Sequence, residues 1–203
     1  MIIINFKTYK EATGKNALKL AKLLKNKKVI ISAQATDLFQ VSKYTKVIAQ
    51  SVDNAEYGKF TGSIIPESIK ASGAIGTLLN HSEKKLKLNV LKECIDKCKK
   101  LDLITIVCSK SLNEIKKIIK FKPDYIAFEI PELIATGKAI SVYKPESIKK
   151  FVNLLKNTSI KPLCGAGISS CEDIKAAYSL GTKGVLVSSA FIKNPKKFLK
   201  CMK

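Results

Sequence analysis

The sequence predicts an α/β protein: a compact (β/α)8 barrel, formed by a single domain over residues 1–203. Short apolar or β-branched runs recur along the chain and alternate with Lys-rich segments of helical spacing, the pattern of parallel strands joined by helical crossovers. Eight such runs can be read, and eight units are what a closed barrel needs. No Gly/Ser linker or Pro-rich tract divides the chain, and its length suits one core.

The first strand covers residues 2–5. Alternation puts Ile2, Ile4 and Phe6 on one face and Ile3, Asn5 and Lys7 on the other. A helix follows at 16–25, where Leu18, Ala21 and Leu24 share a side. Strand two, 29–32, leads to a short helix at 37–43 that Asp37 can cap. Strand three, 47–50, leads through a loop containing Thr61-Gly62 to a short helix at 67–72. Strand four, 75–80, runs into His81-Ser82-Glu83 and then a helix at 86–100, whose Leu88, Leu91, Ile95 and Cys98 form an apolar stripe. Strand five is 103–108, with a helix at 112–119. Strand six is 125–129, and Pro145 suits the first turn of the helix at 145–156. Strand seven, 162–165, opens a Gly-containing turn before a helix at 171–180, which Ser170 can cap and Gly181 can follow. Strand eight is 184–188, and Asn194 with Pro195 starts the last helix at 195–202.

Composition narrows the function. The net charge is +21, from 37 basic and 16 acidic residues, and every basic residue is Lys. Bidentate readout of base edges relies on guanidinium geometry, so base-specific nucleic-acid binding is not expected, and most lysines read as solvated helix faces. Six cysteines without a C-x-x-C pair, and one His, do not make a zinc site; reduced core thiols are the expectation. No metal site is expected. The start, Met1-Ile-Ile-Ile-Asn5, lacks a signal peptide's pattern, and no run approaches a membrane span, so a cytosolic protein without a membrane partner is expected.

Barrel enzymes place their sites at the carboxyl ends of the strands. There, side-chain alternation points Asn5 and Lys7 inward from strand one and Glu129 inward from strand six. His81 follows strand four, where a helix start would keep the imidazole neutral. A carboxylate, a neutral imidazole and a fixed cation are the groups that proton abstraction beside a carbonyl requires. Cys164-Gly-Ala-Gly-Ile-Ser-Ser170 and Gly184-Val-Leu-Val-Ser-Ser-Ala190, after strands seven and eight, offer small residues and backbone N–H groups suited to phosphate. The segment 130–138 suits a loop that folds over a ligand.

Asn5-Phe-Lys7, Leu79-Asn-His81-Ser-Glu83, Phe128-Glu-Ile-Pro-Glu-Leu-Ile-Ala-Thr-Gly137 and Cys164-Gly-Ala-Gly-Ile-Ser169, in this order, resemble the triosephosphate isomerase family, in its short archaeal type. The resemblance implies interconversion of dihydroxyacetone phosphate and D-glyceraldehyde 3-phosphate, in glycolysis and gluconeogenesis, with no cofactor. It implies Glu129 as the base, His81 as the neutral electrophile and Lys7 as the cation. Asn5 hydrogen-bonds the substrate and Glu83 supports His81. Phosphate falls to Ile134 and Ala135, to Gly167, and to Ser188 with Ser189. A homodimer or homotetramer is implied, with the Thr61-Gly62 loop docking into a neighbour. Ala135 stands where the loop tip usually has Gly, and Ile130 where the archaeal type usually has Pro. The alternatives are another phosphate-binding barrel isomerase or aldolase, and a non-catalytic polyanion binder that the charge would favour.

Overall fold

The computed structural model describes residues 1–130 and 139–202. Its eight parallel strands close into a barrel in sequence order: β1 (Ile2–Asn5), β2 (Val29–Ala33), β3 (Lys46–Ala49), β4 (Gly76–Leu79), β5 (Ile104–Ser109), β6 (Tyr125–Phe128), β7 (Lys161–Cys164) and β8 (Gly184–Val187). The register joins Ile4 to Ile31 and closes by pairing Ile4 with Val187. Strand bounds agree with the sequence expectation to within a residue or so. Strand ends fray into turns, and periodicity does not fix their last residue.

Two apolar layers explain why the strands are almost wholly buried. Ile3, Ile48, Leu78, Ile106, Ala127 and Leu163 fill the barrel interior. Ile2, Ile4, Phe6, Ile31, Ile126 and Phe128 point outward into the helical ring. Each such side chain fully removed from water contributes about 1.5–3 kcal/mol. The alternation read from β1 and β6 therefore holds: the set Ile3-Asn5 faces inward, and so does Tyr125-Ala127.

The ring comprises α1 (Lys15–Leu23), α2 (Leu38–Ser42), α3 (Pro66–Ala71), α4 (Leu88–Lys100), α5 (Leu112–Ile118), α6 (Ile140–Tyr143), α7 (Pro145–Leu155), α8 (Cys171–Ser179), α9 (Ser189–Lys193) and α10 (Pro195–Leu199). α4 buries Leu91, Cys94, Ile95 and Cys98, close to the expected stripe. Ser170 caps α8 in a full capping box with Asp173, and the Asn194 side chain accepts from the Lys197 N–H.

Four expectations need correction. Asp37 does not cap α2; its carboxylate instead accepts the Gly14 N–H at 3.0 Å, ahead of α1. The fourth helix starts at Leu88, because Asn80 Oδ1 accepts the Leu86 N–H and residues 81–87 stay outside the helix. α6 and α9 were absent from the sequence reading, being only four and five residues long. Finally, not every thiol is reduced: Cys171 and Cys201, 30 residues apart, form a disulfide, and the other four cysteines are free and buried. Wide spacing in sequence hid a pair whose Cα atoms lie 5.1 Å apart.

Among the described residues no helix is long and apolar enough to cross a membrane, and no cluster of His, Cys, Asp and Glu could hold a metal ion.

Candidate active site

A cleft of about 540 Å³ opens at the carboxyl ends of the strands. Asn5, Lys7, His81, Glu129, Gly167, Ser188 and Ser189 all border it, so the structure gathers these sequence-derived positions in one place. Ile134 and Ala135 lie outside the described residues, as does most of the 130–138 segment.

Glu129 follows β6 directly, and its N–H donates to the Ser109 carbonyl at 2.8 Å, extending the ladder by one residue. The side chain is almost fully buried. Burial pushes its pKa up to about 8, against the pull of the Lys7 charge and of a hydrogen bond from the Cys108 thiol. Cys108 lies on the inward face of β5 and escaped the sequence reading as a site residue. Its signal was available: it is an inward position on the strand adjacent to β6.

A second unforeseen contributor is Gly165. A Cβ built there would come within 2.6 Å of Glu129 Cγ and 3.2 Å of the Phe128 carbonyl oxygen. Only a residue without a side chain lets the carboxylate lie against β7. The sequence reading gave Gly165 to a phosphate turn; the structure gives it to the seating of Glu129.

Backbone re-aiming explains His81. Asn80 sits at φ 58, in the left-handed region that Asn tolerates better than most residues. Its amide donates to the Cys108 carbonyl at 2.9 Å and to Glu114 at 3.1 Å. The following residue, His81, then borders the cleft with Nε2 3.5 Å from Glu129 Oε1. The Glu83 N–H donates to His81 Nδ1 at 3.2 Å, so the proton of a neutral ring resides on Nε2, on the side of Glu129. Burial first, and the Lys7 charge second, lower the pKa of His81, while Glu83 opposes them. The expected neutrality is thus obtained from burial and a nearby cation, with no helix starting at this histidine.

Lys7 is also left-handed, at φ 46. Three contacts fix it: its N–H donates to Asn5 Oδ1 at 2.9 Å, Gln50 donates to its carbonyl at 2.9 Å, and its ammonium meets Glu83 Oε1 at 2.5 Å. Gln50, just past β3, was read only as the end of a strand. Glu83 therefore meets both Lys7 and His81, through its side chain and its backbone. On the opposite wall, Ser188 Oγ donates to the Asn5 carbonyl at 2.8 Å, tying the end of β8 to the end of β1. Asp173 accepts from the N–H groups of Ser169 and Ser170 at 2.8 and 2.9 Å, which shapes the turn after β7.

A buried carboxylate of raised pKa, an Nε2–H donor and an ammonium converge on one cleft. Together they can remove a proton from carbon, polarise the neighbouring carbonyl and balance the resulting negative charge. Comparison with known proteins agrees. A family model described as triosephosphate isomerase matches residues 1–203. The triosephosphate isomerase of Methanothermus fervidus is 44% identical over 211 residues, covering 98% of this chain and 95% of that protein. Those of Methanocaldococcus jannaschii and Methanobacterium bryantii are 42% and 40% identical, over 95% and 98% of this chain and 93% of each relative.

Proposed function

The chain belongs to the triosephosphate isomerase family and is an isomerase of triose phosphates; we propose that Glu129, His81 and Lys7 carry the reaction, with Asn5 and Glu83 in support. The substrate pair is dihydroxyacetone phosphate and D-glyceraldehyde 3-phosphate. Glu129 takes a proton from C1 of the ketone, and the electron pair moves onto the C2 oxygen to give an enediolate. His81 donates from Nε2 to that oxygen, and a neutral imidazole in this role is the established feature of the family. Lys7 offsets the developing negative charge. Return of the proton from Glu129 to C2, with the hydroxyl proton passed between the two oxygens, yields the aldehyde.

The observation that carries this reading is the Glu83 N–H on His81 Nδ1, which leaves Nε2–H as the donor beside Glu129. Gly167, Ser188 and Ser189, which border the cleft, hold the phosphate; the resemblance adds Ile134 and Ala135, which lie outside the described residues. An aldolase reading is less well supported: it needs Lys7 as a free amine, and its Nζ is held by Glu83.

Turnover of dihydroxyacetone phosphate in D2O tests the chemistry. Proton transfer through a carboxylate predicts deuterium on carbon in product and in recovered substrate, read by NMR. Product formed with no deuterium on carbon, and formed equally fast by E129Q, would point to direct hydride migration and overturn the role of Glu129.

The molecule self-associates as a homodimer or homotetramer. In support, Tyr57 and Phe60 are exposed in the loop that carries Thr61-Gly62, and a second cleft of about 900 Å³ lies beside the active site. Sedimentation equilibrium should return at least twice the 22.3 kDa chain mass. A fully active monomer would contradict this.

A further inference from the structure

The disulfide between Cys171 and Cys201 lies on the two segments that border the phosphate side of the cleft. Cys171 is the first residue of α8 and follows the turn whose Gly167, Ile168 and Ser169 line the cleft. Asp173, in the same first turn of α8, holds the N–H groups of Ser169 and Ser170, so the position of α8 sets the shape of that turn. Cys201 ends the segment that begins at Ser188 and Ser189 on the other wall. That segment contains two five-residue helices held by buried Phe191 and Phe198, and buried Met202 follows it. Phe191 and Phe198 meet edge to face at 6.4 Å. The bond therefore joins one wall of the phosphate side to the other.

The remaining cysteines cannot take part in exchange. Cys94, Cys98, Cys108 and Cys164 are buried, and burial pushes Cys94 up to about 11 and Cys98 and Cys164 up to about 12. Cys171 and Cys201 are only half-buried, within reach of an external thiol. The N-terminus of α8 favours Cys171 as a thiolate leaving group, with Glu172 and Asp173 in the same turn opposing it.

We propose that Cys171–Cys201 is a redox-exchangeable clamp that fixes the two phosphate-side segments together and so sets the affinity for phosphorylated substrate. This rests on the reading of the cleft given above. A dithiol supplies the electrons: its thiolate attacks one protein sulfur and displaces the other as a thiolate, and its second thiol then releases the first. The protein gains two protons and two electrons, and the dithiol becomes a disulfide. The reduced protein retains Glu129, His81 and Lys7 in place while the C-terminal segment loosens.

The test compares the oxidised protein with the dithiothreitol-reduced protein, and with C201S and C171S, using steady-state kinetics and calorimetric titration with inorganic phosphate. Reduction should expose two alkylatable thiols and raise KM and the phosphate Kd by about tenfold, the cost of ordering segments that the clamp holds ready. The value of kcat should stay within about twofold, because the proton-transfer groups are untouched. Either serine variant should match the reduced form and ignore dithiothreitol. Two new thiols with unchanged KM and phosphate Kd would overturn the clamp, as would a protein that yields none. If neither form isomerises triose phosphate, the isomerase reading fails, and a redox-dependent phosphate Kd still judges the clamp separately.

Discussion

Glu129 is where the chemistry depends most on a single environment. Its carboxyl is raised to about 8 by burial, so kcat/KM of the free enzyme should rise with pH and level off near that value. Below it the rate should fall about tenfold per unit, as for any single ionisation. A flat profile between pH 6 and 8 would contradict the assignment. The same shift affects stability with a definite sign. The folded state retains a proton on Glu129 up to about pH 8, whereas the unfolded chain releases it near 4.5. The folded state is therefore favoured below 4.5 and loses that advantage as pH rises through 8. Differential scanning should show E129Q gaining in Tm over the parent as pH rises from 5 to 8, with no further gain above. Gly165 acts through the same carboxylate. G165A places a Cβ within 2.6 Å of Glu129 Cγ and should lower kcat by about 100-fold while the circular dichroism spectrum persists; a near-normal kcat would show that the contact is easily relieved. Asn5 and Glu129 were legible in the sequence because one lies within β1 and the other extends the β6 ladder by one residue, where alternation holds; Lys7 lies past the end of β1 at φ 46, so a left-handed turn and not alternation brings it to the cleft. Cys108 and Gly165 matter through contacts that the Glu129 side chain makes with adjacent strands; the barrel order places them nearby, and alternation does not show which neighbouring group the carboxylate meets.

At the level of elements, the caps at the starts of α8 and α10 were legible because a cap is a local hydrogen bond between residues three apart. S170A removes the cap of α8 and should cost about 1 kcal/mol in chemical denaturation, without changing the denaturant slope. The missed elements have other causes: α6 and α9 are short and have no side-chain cap to mark their starts, and the α4 start was displaced by the Asn80 hydrogen bond to the Leu86 N–H. The disulfide is the largest such omission. Closing a loop of 30 residues restricts the unfolded chain by about 3–4 kcal/mol in the chain-entropy account. Reduction should therefore lower Tm on the order of 10 °C for a chain of this size. An unchanged Tm would mean that the bond adds nothing to global stability.

For the whole molecule, the charge of +21 acquires a direction that composition could not reveal. Helices in this barrel start at the carboxyl ends of the strands and finish at the opposite end, and their dipoles favour acids at the start and lysines at the finish. Glu67, Glu114, Glu146, Glu172 and Asp173 accordingly sit in first turns. Lys28, Lys46, Lys122, Lys161 and Lys183 stand exposed where the chain enters strands, at the end away from the cleft. Salt screens charges over about 10 Å at 0.1 M, so replacing Lys122, Lys161 and Lys183 together with Gln should leave kcat/KM within about twofold. The local cation at Lys7, and not the global excess, faces the reacting atoms. The barrel's contribution is to bring the ends of β1, β4 and β6 to one cleft, where a base, a donor and a cation act on one substrate. The most direct test is the turnover of D-glyceraldehyde 3-phosphate by E129Q in a coupled assay, with the fold verified by circular dichroism. A folded variant with kcat reduced by about 1000-fold or more is predicted, since the amide cannot accept the proton; a folded variant with near-parental kcat would contradict the account.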